Sequence, residues 1–286
     1  MNVQPNFVTP PEPAIHLSRM AKTLDSMERF KQRSKYDYIF EEMVTENLSK
    51  TFDGAGGALQ EEVAEISRSF EQLLGKIVLG EKVDEAVLKE VHVLKEKVEQ
   101  IVGKHFSSDE DALKHQIDFD NSRADSIAYL SSWDRRGMWG WQKVDGAIQN
   151  LVKLMHQNPH LFSAGESCEG HINEPTEAEL SGGYLSIGVD GTQESREIIA
   201  KILHIAETSG YLRVDKGDFY GNEVYNIKIS IDHLSEAERK SLSLGEHKQE
   251  YDKVWQAIEE VFSDAAKGYK PVNWNNEISK GLHLGF

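Results

Sequence analysis

The chain contains a single cysteine, Cys168, set in the segment Phe162-Ser163-Ala164-Gly165-Glu166-Ser167-Cys168-Glu169-Gly170-His171. A thiol with an imidazole three residues away and glutamates on either side could do three kinds of chemistry. As a nucleophile, Cys168 needs its thiolate favoured by a nearby cation or a helix N-terminus, and His171 could serve. Glu166 and Glu169 oppose this, because surrounding negative charge drives a thiol towards its protonated form. As a metal site, Cys168, His171 and a carboxylate are all ligand types that zinc accepts, but the segment does not supply four ligands, so no metal is assigned. As a ligand loop, Gly165 and Gly170 let the backbone approach a bound molecule closely. Ser167 and His171 then offer polar contacts, and Arg135 and Arg136 in the turn Asp134-Arg135-Arg136-Gly137 offer an anion clamp. Against all three stands a plain reading, a small cysteine buried in a tight strand-to-loop transition. The residues expected to bind a ligand are Ser167, Cys168, Gly170, His171, Asp134, Arg135 and Arg136. No catalytic residue is assigned.

The elements around this segment read as a mixed layer. Val144, Ile148, Leu151, Val152 and Met155 give a helix over about 143–156, which Asn158-Pro159 ends. Leu161 to Ser163 forms a short strand leading into the segment, and residues 184–189 form a clearer one after Ser181-Gly182-Gly183. Thr192 caps the next helix, whose face is Ile198, Ile199, Ile202, Leu203 and Ile205, and Gly210 stops it. Strands are expected at 211–214 and 224–231, joined as a hairpin by the link 215–222. Helices near Ser235 and over 247–266 follow, the second carrying Tyr251, Val254, Trp255, Ile258 and Phe262. The order helix, strand, strand, helix, strand, strand, helix predicts an α+β domain, a mostly antiparallel sheet covered by helices.

The first half is different. Residues 1–13 hold four prolines and are expected to be extended or disordered. From Ala14 onward apolar residues recur every three or four positions: Leu17, Met20, Leu24, Met27 and Phe30, then Tyr36, Ile39, Phe40, Met43 and Leu48. Helices over about 58–79 and 84–106 carry similar stripes. Short connections favour an antiparallel bundle that packs or self-associates. Asp53-Gly54-Ala55-Gly56-Gly57 lacks the strand and the Gly-Lys-Ser/Thr of a phosphate loop. Asp118, Asp120 and Asp125 do not fit a calcium loop, so solvated or capping roles are expected. The domains therefore read as a disordered N-terminus (1–13), a helical region (14–115), an α+β domain (116–268) and an irregular tail (269–286).

Thirty-two Lys and Arg against 48 Asp and Glu give a net charge of −16 over 286 residues. Such a balance argues against an extended nucleic-acid surface, which needs clustered cations to release counterions. One cysteine excludes an intrachain disulfide framework. No apolar run reaches the roughly 20 residues of a membrane span, and the N-terminus has no basic region followed by an apolar one. A cytoplasmic protein is expected.

Asp134-Arg135-Arg136-Gly137, Val144-Asp145-Gly146-Ala147-Ile148, Leu151-Val152, Asn158-Pro159 and Ser167-Cys168-Glu169-Gly170-His171 together resemble the core of the wybutosine-synthesising methyltransferase family. There an Asp-x-Ser-x-Lys-Gly segment precedes an Asp-x-x-Ile-x-x-Leu helix and a Ser-Ser-Cys-Ser-Gly-Arg loop. In this chain Glu166, Glu169 and His171 stand where the family has serine, serine and arginine. The loop is also similar to that of bacterial and phage proteins carrying Ser-Cys-Glu-Gly-His. The resemblance implies S-adenosylmethionine as cofactor and a nucleoside-containing substrate. Two readings therefore stay open: a small polar ligand- or nucleotide-binding protein with methyltransferase-like activity, or a non-catalytic binding or interaction protein that keeps the fold.

Overall fold

A computed structural model of the chain describes residues 12–30, 57–76, 84–131, 140, 144–165, 167–172, 180–272 and 274. The fold is α+β, and the chain divides into two compact units, with the break between Ala124 and Asp125. The expected helical stripe beyond Phe30, the Asp53–Gly57 turn and residues 1–11 lie outside the described residues.

In the first unit, α1 (Glu12–Phe30), α2 (Gly57–Lys76) and α3 (Glu85–Phe106) pack their apolar stripes together. Leu17, Met20, Leu24, Met27, Val63, Ile66, Phe70, Leu73, Val91 and Val98 form the shared core. Pro13 falls in the first turn of α1, where its missing N–H has no intrahelical partner to lose. Asp84 caps α3, its carboxylate accepting from the Val87 amide at 2.8 Å. A single 3₁₀ turn, Ser107–Asp109, precedes α4 (Glu110–Ser131), whose residues from Asp125 onward belong to the second unit. The solvated role expected of Asp120 is corrected: it is buried, and Arg19 donates to it at 3.1 and 3.2 Å through Nε and Nη2. Gln116 adds a third donor at 3.2 Å. An aspartate partnered this fully is stable inside, because its lone pairs are satisfied where water is excluded. One turn before Arg19, His16 is also buried, and burial first, then the neighbouring guanidinium, push it down to about 3.

In the second unit a four-stranded antiparallel sheet has the order β1-β2-β4-β3, with β1 Leu161–Ser163, β2 Gly183–Val189, β3 Leu212–Phe219 and β4 Asn222–Ile229. One face is covered by α5 (Gln149–Gln157), α6 (Gln193–Thr208) and α8 (Leu244–Ala265), with the short α7 (Glu236–Ser241) before the last. Leu185, Ile187, Ile227 and Ile229 meet Leu151, Met155, Ile198, Ile202, Ile258 and Phe262 in one core. Each aliphatic or phenyl side chain fully buried there contributes about 1.5–3 kcal/mol of transfer free energy. Thr192 caps α6 as its sequence predicts, and Ser243 and Glu246 form a capping box on α8.

The β3–β4 hairpin is longer than its apolar pattern suggests. The expected link 215–222 is mostly strand, and the turn is only Tyr220-Gly221, both at positive φ (52° and 83°). Asp215, Lys216 and Asp218 face solvent, so no apolar alternation marks the outer hairpin, and a two-residue turn of this backbone hand matches strand twist. No described helix is long and apolar enough to cross a membrane.

Candidate functional site

The Cys168 segment continues the sheet edge beyond β1. Ser163 pairs with Ile187, and Cys168 pairs with Tyr184 through amide–carbonyl bonds of 2.9 and 2.8 Å. Between these two pairs the edge has four residues where β2 has two, and the surplus forms a bulge at Gly165, whose φ is 118°. The ladder resumes from Cys168 to Ile172 against Leu180 to Tyr184, with the Ser181 amide donating to His171 O at 2.8 Å.

In a regular strand Cys168 and His171 would point to opposite faces, since side chains alternate. Gly170 removes that alternation with a φ of 84°. A Cβ at Gly170 would stand 2.7 Å from Ser181 O and 3.0 Å from both the Gly183 amide nitrogen and the Tyr251 ring. Glycine is required there for conformation and for space alike. The reversal brings Cys168 Sγ to 3.4 Å from His171 Nε2, and the Gly170 amide donates to the same sulfur at 3.4 Å.

A third group arrives from the turn before α5. Asp145 Oδ2 lies 3.2 Å from His171 Nε2 and accepts from the Glu169 amide at 3.0 Å. In return, Glu169 Oε2 accepts from the Ala147 amide at 2.9 Å. Helix α5 has Ile148 at its N-cap position and no side-chain cap of its own. Glu169 instead holds the turn just before the helix, placing a carboxylate near a helix start, where negative charge is favoured. The helix begins later than the apolar stripe predicts because Asp145 to Ile148 form this turn, closed by Ile148 N–H to Asp145 O at 3.1 Å. On the far side, the Trp255 indole of α8 donates to Glu169 O at 2.9 Å.

The result is a half-exposed cluster in which one donor atom each from Asp145, Cys168 and His171 lie within 4.8 Å of one another. His171 Nδ1 faces Glu169 Oε1 at 3.8 Å. Burial first, and then the carboxylates of Asp145 and Glu169, push the Cys168 thiol up, outweighing the Gly170 amide. A thiol so held is a poor nucleophile. Asp145 and Cys168 also share the same imidazole nitrogen, whereas a relay needs the acid and the nucleophile on opposite nitrogens.

Of the residues expected to bind a ligand, Cys168, Gly170 and His171 come together. Ser167 is half-buried at the start of the resumed ladder. Asp134, Arg135 and Arg136 lie outside the described residues. Asp145 and the two-way role of Glu169 were not among the expected site residues. Asp145 stands in the Val144–Ile148 segment of the motif resemblance, but composition and spacing give it no role of its own and do not place it against Cys168. Comparison with protein-family models, curated proteins and solved structures finds no match to this chain, so the functional reading rests on the site's own geometry and on the motif residues quoted above.

Proposed function

We propose that the α+β unit binds a small polar ligand, of the nucleoside-containing class, at the Asp145–Cys168–His171 cluster. The observation that supports this is the convergence of three chemically different polar groups on one half-exposed point of a backbone fixed from four sides. Ligand sites favour such preformed clusters, because little ordering remains to be done on binding. The net charge of −16 favours a small molecule over extended nucleic acid as the ligand. The raised thiol favours holding over attacking, so a non-catalytic or group-positioning role for Cys168 fits better than a covalent one. The enzymatic form of the reading is methyl transfer from S-adenosylmethionine to a nucleoside, as the motif resemblance implies. The reading also takes the protein to act in the cytoplasm, where Cys168 stays reduced, and to self-associate through its helical unit, which sedimentation would measure.

Isothermal calorimetry with S-adenosylmethionine, S-adenosylhomocysteine and the common nucleosides and nucleotides tests the binding. One of them is expected to bind with micromolar affinity, and His171→Ala and Asp145→Asn are each expected to weaken it at least tenfold. Absence of binding by the whole set overturns the reading. Binding unchanged in both variants removes the cluster from it.

A further inference from the structure

The three donor atoms of the cluster have the chemistry and spacing of an open metal site. Zinc-class ions are borderline-soft and accept thiolate, imidazole and carboxylate together, whereas magnesium and calcium select oxygen alone. Two donors bound at the ~2.0–2.3 Å lengths of a tetrahedral zinc stand about 3.3–3.6 Å apart, the shorter value for a nitrogen–oxygen pair and the longer for a sulfur–nitrogen pair. The observed separations are 3.4 Å for Cys168 Sγ to His171 Nε2 and 3.2 Å for His171 Nε2 to Asp145 Oδ2. Both measured separations sit within a few tenths of an ångström of the liganded spacing. The third pair, Asp145 and Cys168, also has its donor atoms within 4.8 Å, which is within side-chain reach of it.

The surroundings have the arrangement that such ligands use. Metal-bound imidazoles commonly direct their second nitrogen at a carboxylate, which fixes the ring and raises its basicity. Here Glu169 Oε1 lies 3.8 Å from His171 Nδ1, longer than a hydrogen bond but on the side of the ring that such a carboxylate occupies, and Glu169 is itself anchored on the Ala147 amide. The Gly170 amide points at Sγ and would stabilise the thiolate form. Hydrogen bonds to Ser181, Tyr184 and Trp255 hold the backbone from Cys168 to His171, so the ligand loop is stiff before any ion arrives. His171 stays 49% exposed in its side chain, which leaves an entry path.

We infer that Asp145, Cys168 and His171 bind one zinc-class divalent cation, leaving a fourth position open for water or a ligand oxygen. Binding forms the sulfur–metal bond and breaks the S–H bond, the proton passing to solvent. Asp145 and the Cys168 thiolate together balance the ion's two positive charges, and the open position gives the proposed polar ligand a direct point of attachment. This rests on reading the loop as a binding site, but it makes its own demand, which is metal affinity without any organic ligand.

Cobalt(II) alone, titrated into the reduced full chain free of an affinity tag, provides the test. The expected result is one equivalent bound, with thiolate-to-cobalt charge-transfer absorption that zinc abolishes by displacement. Cys168→Ser is expected to remove the charge-transfer band. Asp145→Asn, which keeps the side-chain shape, is expected to weaken binding about a hundredfold, and Glu169→Gln about tenfold. Circular dichroism establishes that each variant is folded. No charge-transfer band with folded protein overturns the inference, as does a band of equal affinity in Asp145→Asn and His171→Ala, which would mean capture by the thiol alone. Cobalt binding without nucleoside binding would leave the metal site standing and remove the proposed ligand class. The reverse would remove the metal and leave the ligand.

Discussion

Two glycines separate conformational strain from packing in the α+β unit. Gly170 and Gly221 have nearly the same positive φ, 84° and 83°, so an alanine at either meets the same kind of backbone penalty. That penalty is about 1–2 kcal/mol for an L-residue held in the left-handed region. Around Gly221 an added Cβ meets nothing within 4 Å, whereas at Gly170 it meets backbone atoms at 2.7 and 3.0 Å. Backbone does not move aside as a side-chain tip does, so overpacking there adds about 1–3 kcal/mol. Gly221→Ala should therefore destabilise by about 1 kcal/mol, and Gly170→Ala by about 3 kcal/mol. All five tryptophans, Trp133, Trp139, Trp141, Trp255 and Trp274, fall between residues 125 and 275. Trp255 is buried in this unit's core and Trp274 packs against it, so tryptophan fluorescence through a urea titration follows the unfolding of this unit, and the shift in midpoint at constant slope gives the change in stability. Equal destabilisation by the two variants would refute the reasoning, because Gly170 would then be required for its φ and not for its close approach to Ser181 and Gly183.

Three further outcomes are expected. The folded-state pKa of His16 lies below its ordinary 6.5, so its contribution to stability is complete above about pH 6.5 and is lost as pH falls towards 3. Between pH 7 and 5 the helical unit should lose about 2 kcal/mol from this group. His16→Gln should flatten that slope in far-ultraviolet circular dichroism melts, and an unchanged slope would rule the group out as its source. Trp255→Phe leaves Glu169 O without its indole donor and should destabilise the α+β unit by about 1–3 kcal/mol in the same urea titration; a loss below 0.5 kcal/mol would mean water replaces the indole at no cost. Iodoacetamide should alkylate Cys168 slowly at neutral pH, because burial and then Asp145 raise its pKa. Asp145→Asn should move the midpoint of the rate–pH curve downward, and a midpoint that stays in place would exclude Asp145 as a cause.

The parts of this fold that could be read from the sequence are those in which one element repeats its own period. The stripe on α8 from Tyr251 to Phe262 and the cap at Thr192 are local, and each predicts its own element. The outer half of β3 was hidden because Asp215, Lys216 and Asp218 face water, while the buried residues at that end, Asn222 and Val224, lie on β4. Asp120 read as solvated because Arg19, its partner, lies 101 residues away. The same limit applies at the site. Cys168 and His171 were visible as a pair, but their convergence depends on a reversal at Gly170, and Asp145 joins them only through the register of a bulged edge strand. Local spacing carries none of that.

The exchange between Asp145 and Glu169 also sets how this region can move. Each carboxylate holds an amide of the other segment, so lifting the loop loosens the turn that leads into α5, and loosening that turn frees the loop. The two segments form one opening unit although more than twenty residues of chain separate them. Their amides at Ala147 and Glu169 should then exchange with solvent deuterium at a common rate, and whatever occupies the cluster should slow both together.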